Sequence, residues 1–220
     1  MVFTETSMRM TFLLYEGVEP VDLAAIGVIS MARRVLPELS YETVAITKEP
    51  VVLANGLRVL PDRALDEVDA VDVLVVPGGP GWRSASQDAR VLEFVRRVAR
   101  KDLVYSVCTG AMVLAEAGVL DGLHATTKVE VVDPEVSPLQ EMRERFPSIS
   151  AAAALVVDNG RVVTGGGVTL CIDATLYLLE TRFGRKATEE VARIMEYTAA
   201  RAANEQRLAR PLAMAERKPA

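Results

Sequence analysis

The sequence predicts an α/β protein in which helices cover both faces of a parallel sheet. Strand-length apolar runs alternate with helix-length segments, and the runs are apolar at nearly every position. Strands of parallel sheets have this composition because crossover helices bury both of their faces. A third observation is the pentapeptide Ser106-Val107-Cys108-Thr109-Gly110, in which small residues stand two before and two after a cysteine. This spacing predicts a sharp turn between a strand and a helix.

The first half of the chain contains three predicted strands, one hairpin and two helices. We predict strands at 10–15, 41–47 and 71–76, a hairpin of 51–53 with 57–60, and helices at 20–36 and 88–101. Pro20 suits the first turn of a helix, where the missing N–H has no helical partner. The Asn55-Gly56 pair favours a tight hairpin turn.

The second half continues the alternation. We predict strands at 103–105 and 125–129, a second hairpin of 152–157 with 161–164, and helices at 111–117, 139–146, about 168–184 and 188–201. No internal repeat, low-complexity linker or second core is visible. We therefore predict one domain over 1–220, with peripheral tails at 1–9 and about 203–220.

Composition and charge narrow the class of protein. Half of the 220 residues are hydrophobic and the formal net charge is −5, which argues against a general binder of nucleic acid or of anionic membranes. No apolar stretch has the length of a membrane span and no signal peptide is visible, so we expect a cytoplasmic protein. Two cysteines and a single histidine give no disulfide framework and no metal-ligand spacing. We expect neither a metal nor a cofactor.

Cys108 is the first candidate for chemistry. The predicted turn places its thiol at the start of a helix, where free N–H groups and the helix dipole favour the thiolate and should lower the pKa. The alternative is a cysteine that only packs as a small apolar side chain. We assign that second role to Cys171, which lies in a stretch that reads as a buried helix.

Three loops are expected to meet at Cys108, because ligands of parallel sheets bind beyond the carboxyl ends of the strands. These loops are 16–22, 77–81 and the cysteine turn. Asp22 is the candidate acid, with Glu16 and Glu19 as substitutes, and helix capping is its alternative role. His124 precedes a strand, at the opposite edge of the sheet, so a Cys-His hydrolase is not expected.

Backbone and hydroxyl groups complete the predicted site. Gly78 and Gly79 could aim N–H groups at Cys108 and hold negative charge on a substrate, although the same residues could simply form a tight turn. The sequence around them is neither a P-loop nor a dinucleotide-binding fingerprint. Thr109 could bind a ligand or Asp22 through its hydroxyl, or be an ordinary residue of the first helical turn.

These motifs, taken in order, resemble the ThiJ/PfpI superfamily. The matching segments are Asp22-Leu23, Val76-Pro77-Gly78-Gly79, Ser106 to Gly110, Ala125-Thr126-Thr127 and Thr164-Gly165-Gly166-Gly167. Over about 10–183 the chain most resembles the isonitrile hydratase branch and the ligand-sensing domains of AraC-type regulators. The resemblance implies a flavodoxin-like fold of the class I glutamine amidotransferase type, a homodimer, a nucleophilic Cys108, Asp22 beside the thiol, and Thr109 in the active site.

Two positions refine what the resemblance implies. Thr109 stands where peptidase-like members have histidine after the cysteine, which points away from proteolysis. Lys128-Val129 follows Ala-Thr-Thr, where relatives commonly have histidine and an aromatic residue. The pocket wall near Lys128 is therefore expected to differ, and we include Lys128 among the substrate-binding residues.

The leading functional hypothesis is a lyase that hydrates isonitriles, small electrophilic molecules, to N-substituted formamides. Cys108 attacks the terminal carbon, Asp22 delivers a proton, and N–H groups of Gly78, Gly79 and Thr109 support the charged stages. The alternatives are a redox or ligand sensor and a glyoxalase or deglycase that uses the same two groups. We do not expect a DNA-binding regulator, because 185–220 offers room for about one helix and a tail.

Overall fold

Seven strands form one central sheet in the computed structural model, which describes residues 7–208. Its strands are β1 (Met8–Leu13), β2 (Leu39–Ala45), β5 (Arg63–Ala64), β6 (Val73–Val76), β7 (Leu103–Ser106), β10 (Val156–Asp158) and β11 (Val162–Gly165). The sheet has the order β10-β11-β7-β6-β1-β2-β5, and every neighbouring pair is parallel except the antiparallel β10 and β11. Two small pairs lie outside it: antiparallel β3 (Val51–Val52) with β4 (Arg58–Val59), and parallel β8 (His124–Ala125) with β9 (Ser150–Ala151).

Helices cover both faces of the sheet. They are α1 (Ala24–Ala32), α2 (Trp82–Ala85), α3 (Ala89–Ala99), α4 (Gly110–Glu116), α5 (Pro138–Arg145), α6 (Leu170–Phe183), α7 (Arg185–Ile194) and α8 (Thr198–Arg207). Short 3₁₀ turns occur at Pro20–Leu23 and Leu65–Glu67. Helices α1, α6 and α7 contribute to the hydrophobic cluster on one face, and α2 to α5 to the cluster on the other. Among residues 7–208, no helix has the length and apolar character that crossing a bilayer requires.

Strand β6 shows why the apolar runs are continuous. Val73 and Val75 belong to the cluster that contains α1 and α6, whereas Leu74 and Val76 belong to the cluster that contains α3 and α4. Because side chains alternate between the faces of a strand, both sets must be apolar when both faces are covered. The flavodoxin-like α/β fold expected from the sequence is confirmed.

Five sequence-based boundaries are corrected by the structure. Strand β1 begins at Met8, which is buried, so the predicted N-terminal tail of 1–9 is two residues too long; 1–6 lie outside the described residues. The predicted helix 20–36 is a 3₁₀ turn followed by α1. The predicted helix 188–201 is two helices, α7 and α8, separated at Glu196, whose φ is +54°.

The C-terminal tail also begins later than predicted. Helix α8 includes 203–207, which were predicted to be tail, while 209–220 lie outside the described residues. The predicted strand 125–129 is shorter than expected, because only His124–Ala125 pairs with another strand. Thr126 and Thr127 instead make side-chain bonds: the Thr126 N–H donates to the Thr164 hydroxyl, and the Thr127 hydroxyl donates to the Cys108 carbonyl.

Candidate active site

Cys108 lies on a strained turn between β7 and α4. Its φ is +51°, a left-handed conformation that costs a non-glycine residue about 1–2 kcal/mol. The turn is fixed on both sides: the Val107 N–H donates to the Val76 carbonyl and the Cys108 N–H to the Gly166 carbonyl, each at 3.0 Å. A non-glycine residue held in this region is a feature of functional sites, where surrounding contacts maintain the strain. The sharp strand–turn–helix elbow predicted from the sequence is present.

The small residues around Cys108 are required by space. A Cβ atom at Gly110 would lie 1.9 Å from the Val76 carbonyl oxygen, a distance that no side chain can occupy. Ser106 is fully buried in the strand before the turn, and its hydroxyl has no hydrogen-bond partner among the described residues. The small residues two before and two after Cys108 are therefore explained by close packing of the elbow against the end of β6.

Asp22 places a buried carboxyl group beside the thiol. It lies in the 3₁₀ turn that follows β1, and its Oδ2 accepts a hydrogen bond of 2.7 Å from the Gly78 N–H. Burial raises the pKa of Asp22 to about 7, and the Gly78 N–H and the Cys108 side chain oppose this shift. Oδ1 is buried without a well-formed hydrogen bond among the described residues, so it remains available to accept a proton.

The pKa of Cys108 differs from the sequence-based prediction. Burial raises it to about 12, and the negative charge of Asp22 adds to the rise. The N–H groups of Val168 and Thr109 and the charge of Lys128 lower the pKa, but they do not compensate. The prediction of a lowered pKa was therefore wrong, because the side chain is only 2% exposed and a carboxyl group is its neighbour. At neutral pH the sulfur is a thiol next to a group that can accept its proton.

The two candidate glycines have roles other than the predicted ones. The Gly78 N–H is bonded to Asp22, and the Gly79 N–H donates to the Thr109 hydroxyl at 2.9 Å. Neither N–H is free to bind negative charge on a substrate, the role predicted from the sequence. The two groups instead hold the Asp22 carboxyl and the Thr109 hydroxyl in position. Thr109 binds Gly79, not the Asp22 carboxyl, and its own N–H contacts the sulfur.

A fourth loop, residues 166–169 after β11, completes the site and was not assigned to it from the sequence. Val168 has a φ of +50°, rare for a β-branched residue, and its N–H bonds to the Cys108 sulfur. The run of three glycines before it was the available signal. Thr127 was also missed, although its hydroxyl bond of 2.7 Å to the Cys108 carbonyl helps to hold the elbow.

The other candidate acids lie in different environments. Glu16 accepts a hydrogen bond from the Val52 N–H, and Glu19 caps the 3₁₀ turn through the Val21 N–H. The structure therefore favours Asp22 over both as the acid beside the thiol. His124 is exposed, and its backbone is bonded to Asn159, as expected for a surface residue.

Two further buried groups border the Cys108–Asp22 pair. The Tyr15 hydroxyl donates to the Pro77 carbonyl at 2.5 Å, and burial, followed by the charges of Asp22 and Cys108, raises the Tyr15 pKa. Cys171 is fully buried in α6, and its thiol donates to the Val21 carbonyl at 3.4 Å. The expectation that Cys171 is a core residue is confirmed.

A cavity of about 310 Å³ adjoins the elbow. Three of its lining residues bond directly to Cys108: Val168 through its N–H, Gly166 through its carbonyl and Thr127 through its hydroxyl. Lys128, the predicted substrate-binding residue, also lines it. Residues 7–208 contain no cluster of three or more histidine, cysteine or acidic side chains that could hold a metal ion.

The fold and this geometry define a class of proteins, in which a parallel α/β sheet presents a cysteine on an elbow beside a buried carboxyl group. Within that class, the chain belongs to the DJ-1/PfpI family, whose model matches residues 8–181. The family resemblance inferred from the motifs is thereby confirmed.

Two curated relatives show how functions vary within this similarity. The chain is 31% identical over 197 residues to isonitrile hydratase of Pseudomonas putida, covering 88% of this chain and 80% of the relative. It is 30% identical over 192 residues to the HTH-type transcriptional regulator GbdR of Pseudomonas aeruginosa. This second match covers 84% of the chain but spans only about half of the regulator, 50% of its length.

Solved structures agree on the fold. A ThiJ/PfpI family protein from Pseudomonas syringae has a TM-score of 0.75 at 25% identity, over 87% of this chain and 76% of that one. Drosophila melanogaster DJ-1beta has a TM-score of 0.73 at 23% identity, over 86% of this chain and 98% of that one. The flavodoxin-like architecture is thus shared across the family.

Proposed function

We propose that this protein is an isonitrile hydratase-like lyase that adds water to a small isonitrile and releases an N-substituted formamide. The observation that carries the proposal is the buried pair of Cys108 and Asp22, in which a thiol adjoins a carboxyl group whose pKa is about 7. A base with a pKa near the working pH combines a large ionised fraction with a useful driving force for proton transfer. The similarity to a curated isonitrile hydratase supports the same activity.

The first step forms a carbon–sulfur bond. Asp22 in its carboxylate form accepts the thiol proton as the sulfur attacks the terminal carbon of the isonitrile, and it then returns that proton to the same carbon. The product is a thioimidate, in which sulfur, hydrogen and the C=N nitrogen share one carbon. The N–H groups of Val168 and Thr109 stabilise the sulfur while it carries negative charge.

The second step releases the product. Water adds to the thioimidate carbon, with its proton passing through Asp22 to the nitrogen, and a tetrahedral adduct forms. The adduct collapses to the formamide as Asp22 accepts its hydroxyl proton and the carbon–sulfur bond breaks, and Asp22 then passes that proton to the sulfur. The carboxyl group ends each cycle in its starting state, and neither an oxidant nor a metal takes part.

The environment of Cys108 weighs against a redox sensor. Susceptibility to oxidation follows thiolate character and exposure, whereas Cys108 is 2% exposed and the pKa of its thiol is raised.

Beyond residue 184 the structure has two helices, α7 and α8, where the sequence predicted one. Both pack against α6, and they give no support to direct DNA binding. A homodimer and a cytoplasmic location remain proposals based on the family resemblance.

Replacement of Cys108 tests the proposal. Cys108→Ala should lower the turnover of para-nitrophenyl isocyanide by at least about 10³-fold, because the covalent route is lost. Chromatographic detection of the formamide measures it, with methylglyoxal assayed in parallel for glyoxalase chemistry. Cys171→Ala, the same change in the core, should retain activity within about threefold. Wild-type turnover by the Cys108 variant, or wild-type activity on methylglyoxal alone, would refute the proposal.

A further inference from the structure

Lys128 places an unpaired positive charge in the cavity beside Cys108. Its side chain is half-buried, and it forms no ion pair with any residue that the structure describes. Its charge is close enough to act on both members of the catalytic pair, since it lowers the pKa of Asp22 and of Cys108. Fully buried lysines are rarely unpaired, and this half-buried one has no carboxylate within ion-pair distance among residues 7–208.

Packing directs the Lys128 side chain along the loop that contacts the sulfur. A Cβ atom at Gly167 would lie 3.0 Å from the Lys128 Cγ and 3.2 Å from its Cβ. The aliphatic part of the lysine therefore lies directly over Gly167, the residue before the Val168 N–H that binds the sulfur. The absence of a side chain at Gly167 lets the lysine lie this close to the loop.

The other residues that line the cavity are mostly small and apolar, and its charged residues are two cations and one anion. Besides Lys128, its charged residues are Glu130 and Arg207, both exposed and neither in an ion pair with a described residue. Exposed charges are screened by salt, whereas a half-buried lysine retains more of its attraction. The neutral lining consists of small or aliphatic residues together with the threonines Thr127 and Thr169.

From this arrangement we infer that the site selects small electrophiles that carry a carboxylate, which Lys128 binds while the electrophilic carbon faces Cys108. The inference rests on the proposed function for its substrate, an isonitrile such as isocyanoacetate or 3-isocyanopropanoate. The carboxylate would supply the missing counter-ion of Lys128, and the short aliphatic linker would contact the apolar lining. A neutral isonitrile of the same size would leave the lysine without a partner.

Alkylation of Cys108 tests the inference independently of isonitrile turnover. Iodoacetate and iodoacetamide differ in charge but hardly in size, and each transfers a substituted methyl group to sulfur with release of iodide. The ratio of their second-order rates, followed by peptide mass spectrometry at Cys108, should fall about 5- to 10-fold in Lys128→Met. The effect of Lys128 on the Cys108–Asp22 pair cancels in this ratio, because both reagents react with the same sulfur.

Two control variants isolate the charge. Lys128→Arg should keep the ratio within about twofold of wild type, and Lys101→Met, the same change at an exposed lysine outside the cavity, should leave it unaltered. Loss of the preference in Lys128→Met with retention in Lys128→Arg supports the inference. An unchanged ratio in Lys128→Met would overturn it, as would failure of both reagents to modify Cys108.

Turnover of a charged and a neutral substrate separates this inference from the proposed function. Isocyanoacetate should have a lower KM than its methyl ester, and Lys128→Met should raise the KM of the acid relative to that of the ester by about 5- to 10-fold. If both are turned over with equal KM values in wild type, the inference fails and the hydratase function stands. If neither is turned over but the alkylation ratio responds to Lys128→Met, the hydratase function fails and selection of anionic electrophiles stands.

Discussion

Asp22 carries a carboxyl group that is fully buried and receives one strong hydrogen bond, from the Gly78 N–H. Its pKa of about 7 lies far above the ordinary value of an aspartate, because burial disfavours the charged form. When Asp22 is ionised, it lowers the free energy of unfolding. Residues of this kind persist at active sites, where a poised base is more useful than a stable ion.

The raised pKa predicts a stability effect with a definite sign. The unfolded chain ionises Asp22 near pH 4 and the folded chain near pH 7, so the folded state binds more protons between these values. The contribution of Asp22 to the free energy of unfolding is therefore fully present below about pH 4, where the carboxyl group is protonated. This contribution is lost as the pH rises through 7. Asp22→Asn should accordingly be more stable than wild type at pH ~8, by about 2–4 kcal/mol, and comparable at pH ~4.

Urea denaturation at the two pH values measures this effect. Asp69→Asn, the same change at an exposed loop position, should shift the free energy of unfolding by less than about 0.5 kcal/mol at either pH. A destabilised Asp22→Asn at pH ~8 would contradict the account, because it would mean that the buried carboxylate stabilises the fold. Isonitrile turnover in the same variant should fall even though its stability rises.

At the level of elements, the elbow depends on how closely β6 and the start of α4 approach each other. The backbone N–H of Val107 bonds to the last residue of β6, and Gly110 leaves no room for a side chain. Sequence alone predicted this element, because the turn is specified by local residues. Val168 was missed because its contact with the sulfur joins positions 60 residues apart, and the run of glycines before it does not specify that contact.

A pair of substitutions tests the packing of the elbow. Gly110→Ala should destabilise the protein by about 3 kcal/mol or more, because its Cβ would overlap the Val76 carbonyl. Ser106→Ala should be neutral or stabilising by up to about 1 kcal/mol, because it removes a buried hydroxyl without a partner among the described residues. Thermal unfolding monitored by circular dichroism compares them. A Gly110 variant as stable as wild type with normal Cys108 reactivity would show that the close approach is dispensable.

The shortened strand at 125 shows a limit of local patterns. The sequence of Ala125-Thr126-Thr127 favours a strand, since β-branched residues prefer extended backbone. In the folded protein the two threonines bind Thr164 and Cys108 through backbone and hydroxyl groups instead of continuing the pairing. Those partners lie in β11 and in the cysteine turn, so no window of sequence around 125 contains the information.

Across the whole molecule, the site is assembled from the carboxyl ends of β1, β6, β7 and β11, four adjacent strands of the sheet. Alternating strands and helices predict that such loops meet, and three of the four were expected. The direction of the pKa shift of Cys108 was not predictable from the sequence in the same way. The N–H groups at the elbow do lower the pKa of Cys108, but burial raises it by more, and burial is a property of the complete fold.

The C-terminal helices also belong to this larger assembly. In α8, Asn204 donates to the buried carboxylate of Asp173 in α6 at 2.9 Å, and Tyr197, just before α8, donates to it at 2.8 Å. These bonds bring the end of α8, with Arg207, to the cavity beside Cys108. The sequence predicted a tail from about 203 because this end of α8 has no clear apolar stripe and is held by polar bonds.

The pH dependence of Cys108 alkylation by iodoacetamide, in wild type and in Asp22→Asn, tests the central claim most directly. If Asp22 accepts the thiol proton, the wild-type rate should rise with pH through an apparent pKa near 7. At pH ~8 the Asp22→Asn rate should then be lower by about 10²-fold or more, with no titration near 7. Equal rates in the two proteins, or a wild-type profile that rises only through the ordinary thiol range near 8.5, would contradict the account.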